Sequence, residues 1–477
     1  MSARVVIVGG GIAGLSAAYR LTIEKKKRAD AFEIVLVEAS DHLGGVIKSQ
    51  SQDGYVIEHG PDSFVLDKPW AHDLCQDLGL GHELIPLNEG DRRAYVAINN
   101  KIHPLPDGFF MIAPTQLLPF VTSPIFSLAG KLRAGLDLVL PKGEGLGDES
   151  VAQFIRRRLG NELFERAGQP LVGGIYMGDA ERLSATCAIP RFVQLEQRHG
   201  SIIRGLLREK KSQAHLASGA RYSLFASLKG GIGSLVERLV QALAEERVLL
   251  NAPVQEVLRS PEHGFRLKMA NQETLLADGL ILALPAPQAA KIVGSLSAKL
   301  ADALASIECV SSLVVNLLFS EQQVDCPEDL VGLVVPAQEG AQMLAASFIS
   351  KKFSNRAAGR MIMVRVFMGG ALRPELMNKP DHQIATLAVK ELQTYLGFKG
   401  QPINTYISRW PQSMPQYQAG HTKLVAQIGH WVREFSGLAL AGNCYQGVGI
   451  PDCILSGQTA AEEVLESMHK RNSLAVG

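Results

Sequence analysis

The chain carries almost no net charge. Its 48 lysines and arginines meet 47 aspartates and glutamates, leaving a formal +1. That balance excludes a general basic field for holding nucleic acid, so no nucleic-acid partner is expected. Long hydrophobic runs are also missing. No uninterrupted apolar stretch reaches the roughly 18 residues that cross a bilayer. Metal-type cysteine spacing is absent. The six cysteines (Cys75, Cys187, Cys309, Cys326, Cys444 and Cys453) contain no C-x-x-C pair. Zinc and iron–sulfur sites are therefore not expected, and the scatter suits reduced thiols in a cytosolic protein. The first strand is expected by Val5, which leaves no room for a secretory leader. The expected location is the cytoplasm, with a peripheral membrane contact left open. No Ser/His/Asp or Cys/His constellation stands out, so no catalytic nucleophile or general base is assigned.

What the chain does have is glycine placed for a dinucleotide. Val5-Val6-Ile7-Val8 reads as a buried parallel strand. Gly9-Gly10-Gly11-Ile12-Ala13-Gly14 follows and fits G-x-G-x-x-G, and a helical stretch begins at Leu15. Gly9 serves the tight turn, Gly11 the approach of a pyrophosphate, and Gly14 the close packing of helix on strand. The helix start offers free N–H groups and a partial positive charge. Alone this fingerprint is weak. A second strand, Phe32 to Val37, ends in Glu38 and Ala39, and an acid there is placed for the ribose hydroxyls. Gly44-Gly45-Val46 and Gly60-Pro61-Asp62-Ser63 come next; a Gly-Gly pair just past the ribose acid resembles the flavin enzymes of the amine-oxidase type, and that resemblance implies FAD. Near the other end, Leu438 to Gly442 reads as a strand entering a turn. Gly447-Val448-Gly449-Ile450 then leads into a helix. Backbone N–H groups there suit the negative charge of a reduced flavin ring.

With 477 residues, two or three domains are expected. Tyr95–Ile98 and Lys101–His103 flank Asn99-Asn100 as a hairpin. Residues 105–141 are apolar and broken by prolines, fit to line a lipophilic pocket, to touch a membrane, or simply to form a helical subdomain. Ser150 caps a helix that stops at Gly160, and Arg156-Arg157-Arg158 reads as one solvated face. Residues 203–220 read as a loop or connection. Gly279 to Leu284 is a buried strand that rejoins the nucleotide sheet. Residues 286–407 suit an antiparallel sheet with flanking helices. Lys68, just past the Gly60–Ser63 turn, is a candidate site residue.

The motifs together resemble the oxygen-dependent porphyrinogen oxidases of haem synthesis, within the FAD-containing amine-oxidase superfamily. They are Gly9–Gly14 with Glu38, Glu58 to Phe64, Gly174 to Asp179, Trp410 to Tyr417 with Gly420-His421, and Gly447 to Asp452. The likeness runs over nearly the whole chain and is nearest to the Gram-positive type, which acts mainly on coproporphyrinogen III. It implies an α/β FAD-binding Rossmann-type domain built from 1–87, 222–285 and 408–477. An α+β substrate domain (206–221 and 286–407) and a mainly helical, membrane-associating domain (88–205) complete the expected fold. It implies removal of six electrons from a porphyrinogen in three flavin cycles, with oxygen as acceptor and hydrogen peroxide as product. It further implies that Gly9–Gly14 hold the pyrophosphate, Glu38 the ribose and Val254 the adenine. Gly44 to Val46 and Gly60 to Ser63 should pass the flavin, and Trp410 with Val448, Gly449 and Ile450 its ring end. Gly174 matches the glycine whose carbonyl lies near the pyrrole nitrogens. Val331, Val334 and Phe367 match apolar pocket positions, although some relatives have an aromatic residue where Val331 stands. Arg93 lies beside the position of an arginine that meets a propionate. Diphenyl-ether inhibitors are expected in that pocket, and handover to other haem-pathway enzymes is a further expected partnership.

Two porphyrinogens remain open. Coproporphyrinogen III carries four propionates and protoporphyrinogen IX two, so cations at the rim favour the first. Lys68, Arg93 and Arg365 are the candidates. A flavin amine oxidase, a carotenoid desaturase and a non-enzymatic FAD-binding protein are the other readings. The Met414-Pro415-Gln416-Tyr417 stretch argues against the first two. Tyr445 alone offers the beginning of an amine oxidase's aromatic cage.

Overall fold

Two sheets organise the molecule in a computed structural model of the chain. It describes residues 3–28, 32–88, 92–143, 147–216, 225–354, 356–357 and 359–476. The first sheet has five parallel strands in the order Arg247–Leu249, Phe32–Val37, Ala3–Val8, Gly279–Leu282 and Leu438–Leu440. Its strands are near-continuous apolar runs because both faces are covered. Val5, Ile7, Ile34 and Leu36 pack beneath helices Ile12–Arg28 and Ile450–Val476. Val6, Val8, Val35 and Val37 pack on the opposite side against the antiparallel strands between Val254 and Ala277 and helix Ala286–Val293. The strand at Gly279 rejoins the nucleotide sheet as expected, and so does the strand at Leu438.

The second sheet has seven strands, ordered Asn404–Pro415, Cys309–Ser320, Met361–Gly369, Met343–Phe348, Leu330–Val334, Arg93–Ile98 and Lys101–Pro104. All neighbours are antiparallel except Leu330–Val334 against Arg93–Ile98. One face, including Leu313, Val315, Leu317, Val364 and Val366, is sealed by helix Asp381–Leu396. Side chains alternate along strands, so Asn316, Arg365 and Phe367 project to the other face, toward the first sheet.

Helices between Leu117 and Leu216 form the third unit, with Phe154, Ile155 and Phe192 fully buried at its centre. The Ser150 side chain accepts the Gln153 N–H while the Gln153 side chain accepts the Ser150 N–H, and Gly160 ends the helix at φ 96°. That reciprocal cap is worth about 1 kcal/mol.

Three expectations are corrected. Residues 93–104 were assigned with the helical stretch 88–205, yet they extend the seven-stranded sheet. The expected hairpin is present, with Asn99 and Asn100 at φ 53° and 58°, but its sheet partner is more than two hundred residues away and leaves no local sign. Residues 203–220 were read as a loop, but Ile202–Leu216 is helical; the remainder, and the boundary at 221–222, lie outside the described residues. Arg158 was placed on a solvated face. It is fully buried, 2.5 Å from Asp137, with further bonds to main-chain carbonyls. Arg156 and Arg157 do remain partly exposed.

Candidate functional site

At the fingerprint, contacts separate the three glycine roles. A Cβ on Gly9, which has φ 110°, would lie 2.3 Å from the Ala283 carbonyl oxygen. One on Gly14 would lie 1.9 Å from the Gly9 oxygen. One on Gly11 would meet nothing within 4 Å. The turn is thus tight below and open above. Glu38 Oε2 accepts the Gly10 N–H at 2.6 Å, and Oε1 accepts the Ser40 N–H and hydroxyl, each at 2.8 Å. A carboxylate keeps lone pairs for further donors. The Gly44 N–H bonds the Gly10 oxygen at 2.8 Å, and a Cβ on Gly45 would lie 3.3 Å from Gly11 Cα. Val254 opens a strand two residues beyond Ala252, whose N–H bonds the Glu38 oxygen at 2.9 Å. A half-buried acid, free space over Gly11 and clustered N–H groups fit the ribose and pyrophosphate of FAD.

The stretch Glu58 to Ser63 is latched to both sheets. Glu58 is buried, with its carboxylate accepting from Ser49 at 2.5 Å and from the Ile232 N–H at 2.9 Å. Burial raises its carboxyl despite Arg356 at 3.4 Å. The Trp410 indole N–H donates to the His59 oxygen at 2.8 Å, and Arg365 donates to the Gly60 oxygen. Asp62 pairs with Arg365 at 2.7 Å and Lys352 at 3.1 Å. Burial opposes its ionisation, yet these two cations hold the carboxyl well below its usual range. A Cβ on Gly60 would stand 1.8 Å from the Val46 oxygen, so the two loops expected at the flavin touch each other. Val46 itself is 38% exposed.

The C-terminal turn is held from behind by Tyr417. Its hydroxyl donates to the Asn443 oxygen at 2.5 Å and accepts the Gly447 N–H at 2.9 Å, while its ring stacks on His421 at 4.0 Å. Gly442 turns at φ 127° and its N–H donates to Ser456 at 3.0 Å. Val448 and Gly449 stay half-buried, ahead of Ile450 at the helix start. Lys68 reaches this turn and bonds Asp452 at 2.7 Å. A cleft of about 1170 Å³ opens beside it, lined by Lys68, Tyr176, Tyr417, Val448, Gly449 and Asp452.

An apolar wall stands on the open face of the seven-stranded sheet. Val334 pairs with Ala345, and Ala345 with Phe367. A Cβ on Gly174 would lie 3.9 Å from that of Ala345. Three sequence candidates therefore converge on a residue that sequence reasoning missed. Ala345 is small and sits in an ordinary apolar run, and only strand register brings it there. Val331 falls at a register shift between Leu330 and Gly332. Ile175, next to Gly174, is 48% exposed.

Each rim cation already has a partner. Lys68 holds Asp452, Arg93 lies 3.3 Å from Asp107 and 3.6 Å from Asp329, and Arg365 holds Asp62. Arg365, expected at a pocket rim, is 1% exposed and lies over the Phe367 ring at 5.1 Å. Among the described residues no His/Cys/Asp/Glu cluster could hold a metal ion.

Comparison with known proteins agrees with this architecture. Residues 12–465 match the model of the flavin containing amine oxidoreductases. The coproporphyrinogen III oxidase of Bacillus subtilis is 34% identical, over 97% of each chain. That of Staphylococcus aureus is 33% identical, over 98% of this chain and 100% of its own. The crystal structure of a putative protoporphyrinogen oxidase from Exiguobacterium sp. 255-15 superposes with a TM-score of 0.85 at 31% identity, covering 98% and 99% of the two chains.

Proposed function

The chain belongs to the flavin containing amine oxidoreductase family, and from that premise we propose that it oxidises coproporphyrinogen III to coproporphyrin III in haem synthesis, with FAD as cofactor and molecular oxygen as final acceptor. The observation that carries this reading is the convergence of Gly174, Val334 and Phe367 on Ala345. It makes a flat apolar wall beside one helix backbone, suited to a macrocycle with polar nitrogens at its centre. Arg365 ties that wall to the Gly60–Asp62 loop, so substrate and cofactor surfaces are fixed relative to each other.

Gly9 to Gly14 would hold the pyrophosphate of FAD, Glu38 its ribose and Val254 its adenine. Gly44 to Val46, Gly60 to Ser63, Trp410, Gly442 and Val448 to Ile450 would enclose its ring. Bound there, FAD supplies a two-electron acceptor that oxygen regenerates, with hydrogen peroxide as product. The protein's own work is positioning. The Gly174 carbonyl receives pyrrole N–H groups, Val331, Val334 and Phe367 exclude water, and Lys68 and Arg93 face the propionates. Three cycles remove six electrons and six protons from one macrocycle. The loss of protons from electron-rich pyrroles to water needs no dedicated base.

The domain reading follows from this assignment: an FAD unit around the parallel sheet, a substrate unit around the seven-stranded sheet, and a helical unit. Diphenyl ethers would compete for the same wall. No described helix is long and apolar enough to cross a membrane. Leu118, Leu128, Leu132 and Val139 are nevertheless 66–77% exposed, which supports contact of the helical unit with a lipid surface; a cytoplasmic location and handover of the product to the next haem-pathway enzyme belong to the same reading.

The test is oxygen uptake and porphyrin fluorescence with coproporphyrinogen III and protoporphyrinogen IX in parallel. Faster turnover of the first is expected. Preference for the second overturns the substrate choice. If neither yields a porphyrin while a primary amine reduces the flavin, the reading fails.

A further inference from the structure

We propose that Gln416 and Tyr417 are a pair of positioning residues that set the spacing between the Gly174 helix and the Gly447–Ile450 turn. The proposal deepens the oxidase reading and rests on it. Both residues are buried, at 5% and 3% exposure, immediately past the end of strand Asn404–Pro415. Their main chain is tied to two units of the molecule. The Gln416 N–H donates to the Glu308 oxygen at 2.8 Å, just ahead of strand Cys309–Ser320. The Tyr417 oxygen accepts the Ser184 N–H at 2.7 Å in the helical unit. Their side chains then serve different partners.

Gln416 serves the substrate side. Its amide donates to the Tyr176 oxygen at 3.1 Å. Tyr176 ends helix Gln169–Tyr176, and the next residue, Met177, is left-handed at φ 50°. The last four carbonyls of a helix have no N–H partner within it, and those of Gly174 and Tyr176 are both among them. Gln416 takes the Tyr176 carbonyl, and the Ala371 N–H takes that of Met177 at 2.8 Å. The helix end that presents the Gly174 carbonyl is thereby fixed at two points. The Gln416 amide fits closely there, since a Cβ on Gly178 would stand 2.4 Å from Gln416 Oε1.

Tyr417 serves the cofactor side. Its hydroxyl donates to the Asn443 oxygen at 2.5 Å and accepts the Gly447 N–H at 2.9 Å. Phenylalanine would keep the ring and lose both bonds. The Asn443 side chain adds a tie to the same segment, donating to the Ser413 oxygen at 3.0 Å. The backbone N–H groups of this turn are those suited to the negative charge of a reduced flavin. Two adjacent residues therefore hold the carbonyl that would orient the macrocycle and the turn that would stabilise the flavin. Each acts through the backbone it holds. Hydride transfer depends on that spacing, because a misplacement of about 1 Å can cost on the order of 100-fold in rate.

The experiment measures two quantities per bound flavin: the rate of flavin reduction by coproporphyrinogen III in oxygen-free stopped flow, and the flavin midpoint potential. Gln416→Met keeps the length and loses the amide. It should slow reduction at least tenfold and leave the midpoint potential unchanged. Gly178→Ala should also slow reduction, because its methyl group displaces the Gln416 amide without altering Gln416 itself. Tyr417→Phe should instead move the midpoint potential to more negative values, since the loosened turn stabilises the reduced ring less. A merely structural role lowers Tm and flavin content but leaves these per-flavin values at wild type. Wild-type reduction rates in both Gln416→Met and Gly178→Ala overturn the substrate half of the proposal. An unchanged potential in Tyr417→Phe overturns the cofactor half. Should the wild-type protein oxidise no porphyrinogen, the oxidase reading fails and the substrate half with it. The potential of Tyr417→Phe is read without substrate and still decides the other half.

Discussion

Adding one methyl group at Gly11 or at Gly14 should injure the protein in different ways. At Gly14 the new Cβ would stand 1.9 Å from the Gly9 carbonyl oxygen and 3.3 Å from the Ala283 Cβ. Backbone must separate by about 1.5 Å to accept it, and overpacking of this kind costs roughly 1–3 kcal/mol. Replacing glycine inside helix Ile12–Arg28 returns about 1 kcal/mol of helix propensity. The net loss of up to ~2 kcal/mol corresponds to a drop of several degrees in Tm, at roughly 2–4 °C per kcal/mol for domains of ordinary size. Gly14→Ala should show that drop even in cofactor-free protein. Gly11 has no left-handed φ, and its added Cβ meets nothing within 4 Å. Cofactor-free Gly11→Ala should therefore be as stable as wild type, or more stable by about 0.4–1 kcal/mol, because the unfolded chain loses freedom. The methyl group does enter the space over the turn where the pyrophosphate is placed. FAD affinity should fall by roughly 100-fold or more, about 2.7 kcal/mol. Thermal unfolding of both apoproteins, with FAD titration followed by flavin fluorescence, separates the two effects. Near wild-type FAD affinity in Gly11→Ala would refute the placement of the pyrophosphate. Equal Tm losses in the two apoproteins would refute the contact argument.

The other expectations concern the wall, the buried ion triad and the exposed leucines. Alanine fits at Gly174, but Gly174→Leu should push side-chain atoms past Ala345 into the substrate space. kcat/KM for coproporphyrinogen III should fall at least tenfold while flavin absorbance and Tm hold, and unchanged turnover would remove Gly174 from the site. Asp62→Asn strands Arg365 and Lys352 beside a neutral amide and should cost about 3–5 kcal/mol in denaturant unfolding. Because the folded-state Asp62 carboxyl lies below its ordinary value, its contribution is complete above the unfolded value of about 4 and is lost as pH falls toward the folded one. Wild type should thus lose stability below about pH 4 more steeply than Asp62→Asn, and parallel acid profiles would argue against the triad. The pair Leu118→Glu and Leu132→Glu should abolish co-sedimentation with phospholipid vesicles without moving Tm, since both side chains are at least 66% exposed. Retained binding would place the lipid contact on another face.

The parallel sheet was legible because its signals are local. Apolar runs of β-branched residues, each closed by glycine or an acid, mark strands and the turns after them, and Phe32–Val37 came out with its observed ends. The glycine turns proposed to hold the cofactor are local signals of the same kind. Membership of the seven-stranded sheet was not. Nothing near Arg93 says that it pairs beside Leu330, or near Trp410 that it pairs beside Ser312, because register is settled by partners far along the chain. Charged residues misled in the same way. Arg158 lies in an ordinary run of three arginines, and only the tertiary arrival of Asp137 gives it a buried partner inside the helical unit. Ala345 carries no chemical signal, and Tyr417 gave one only through resemblance. Both act by touching residues that sequence cannot bring together.

Charge around the pocket shows what that distinction means for substrate choice. Lys68, Arg93 and Arg365 looked alike as rim cations, and each is ion-paired. Their pairs are not equally exchangeable. Arg93 is 40% exposed and faces one carboxylate that is 57% exposed and another that is 27% exposed. Pairs of this kind are worth about 0–1 kcal/mol, so an incoming propionate can replace Asp107 at little cost. Lys68 is 41% exposed, although its Asp452 partner is 13% exposed and sits in the first turn of helix Ile450–Val476; a propionate could join that pair more easily than break it. Arg365 and Asp62 are both buried, and separating them would leave Arg365 a buried charge without its carboxylate, at roughly 3–5 kcal/mol. Arg365 therefore acts as a strut between the wall and the cofactor loop. On the proposed function, recognition of a porphyrinogen with more carboxylates would fall to the exposed cations, and to Arg93 before Lys68.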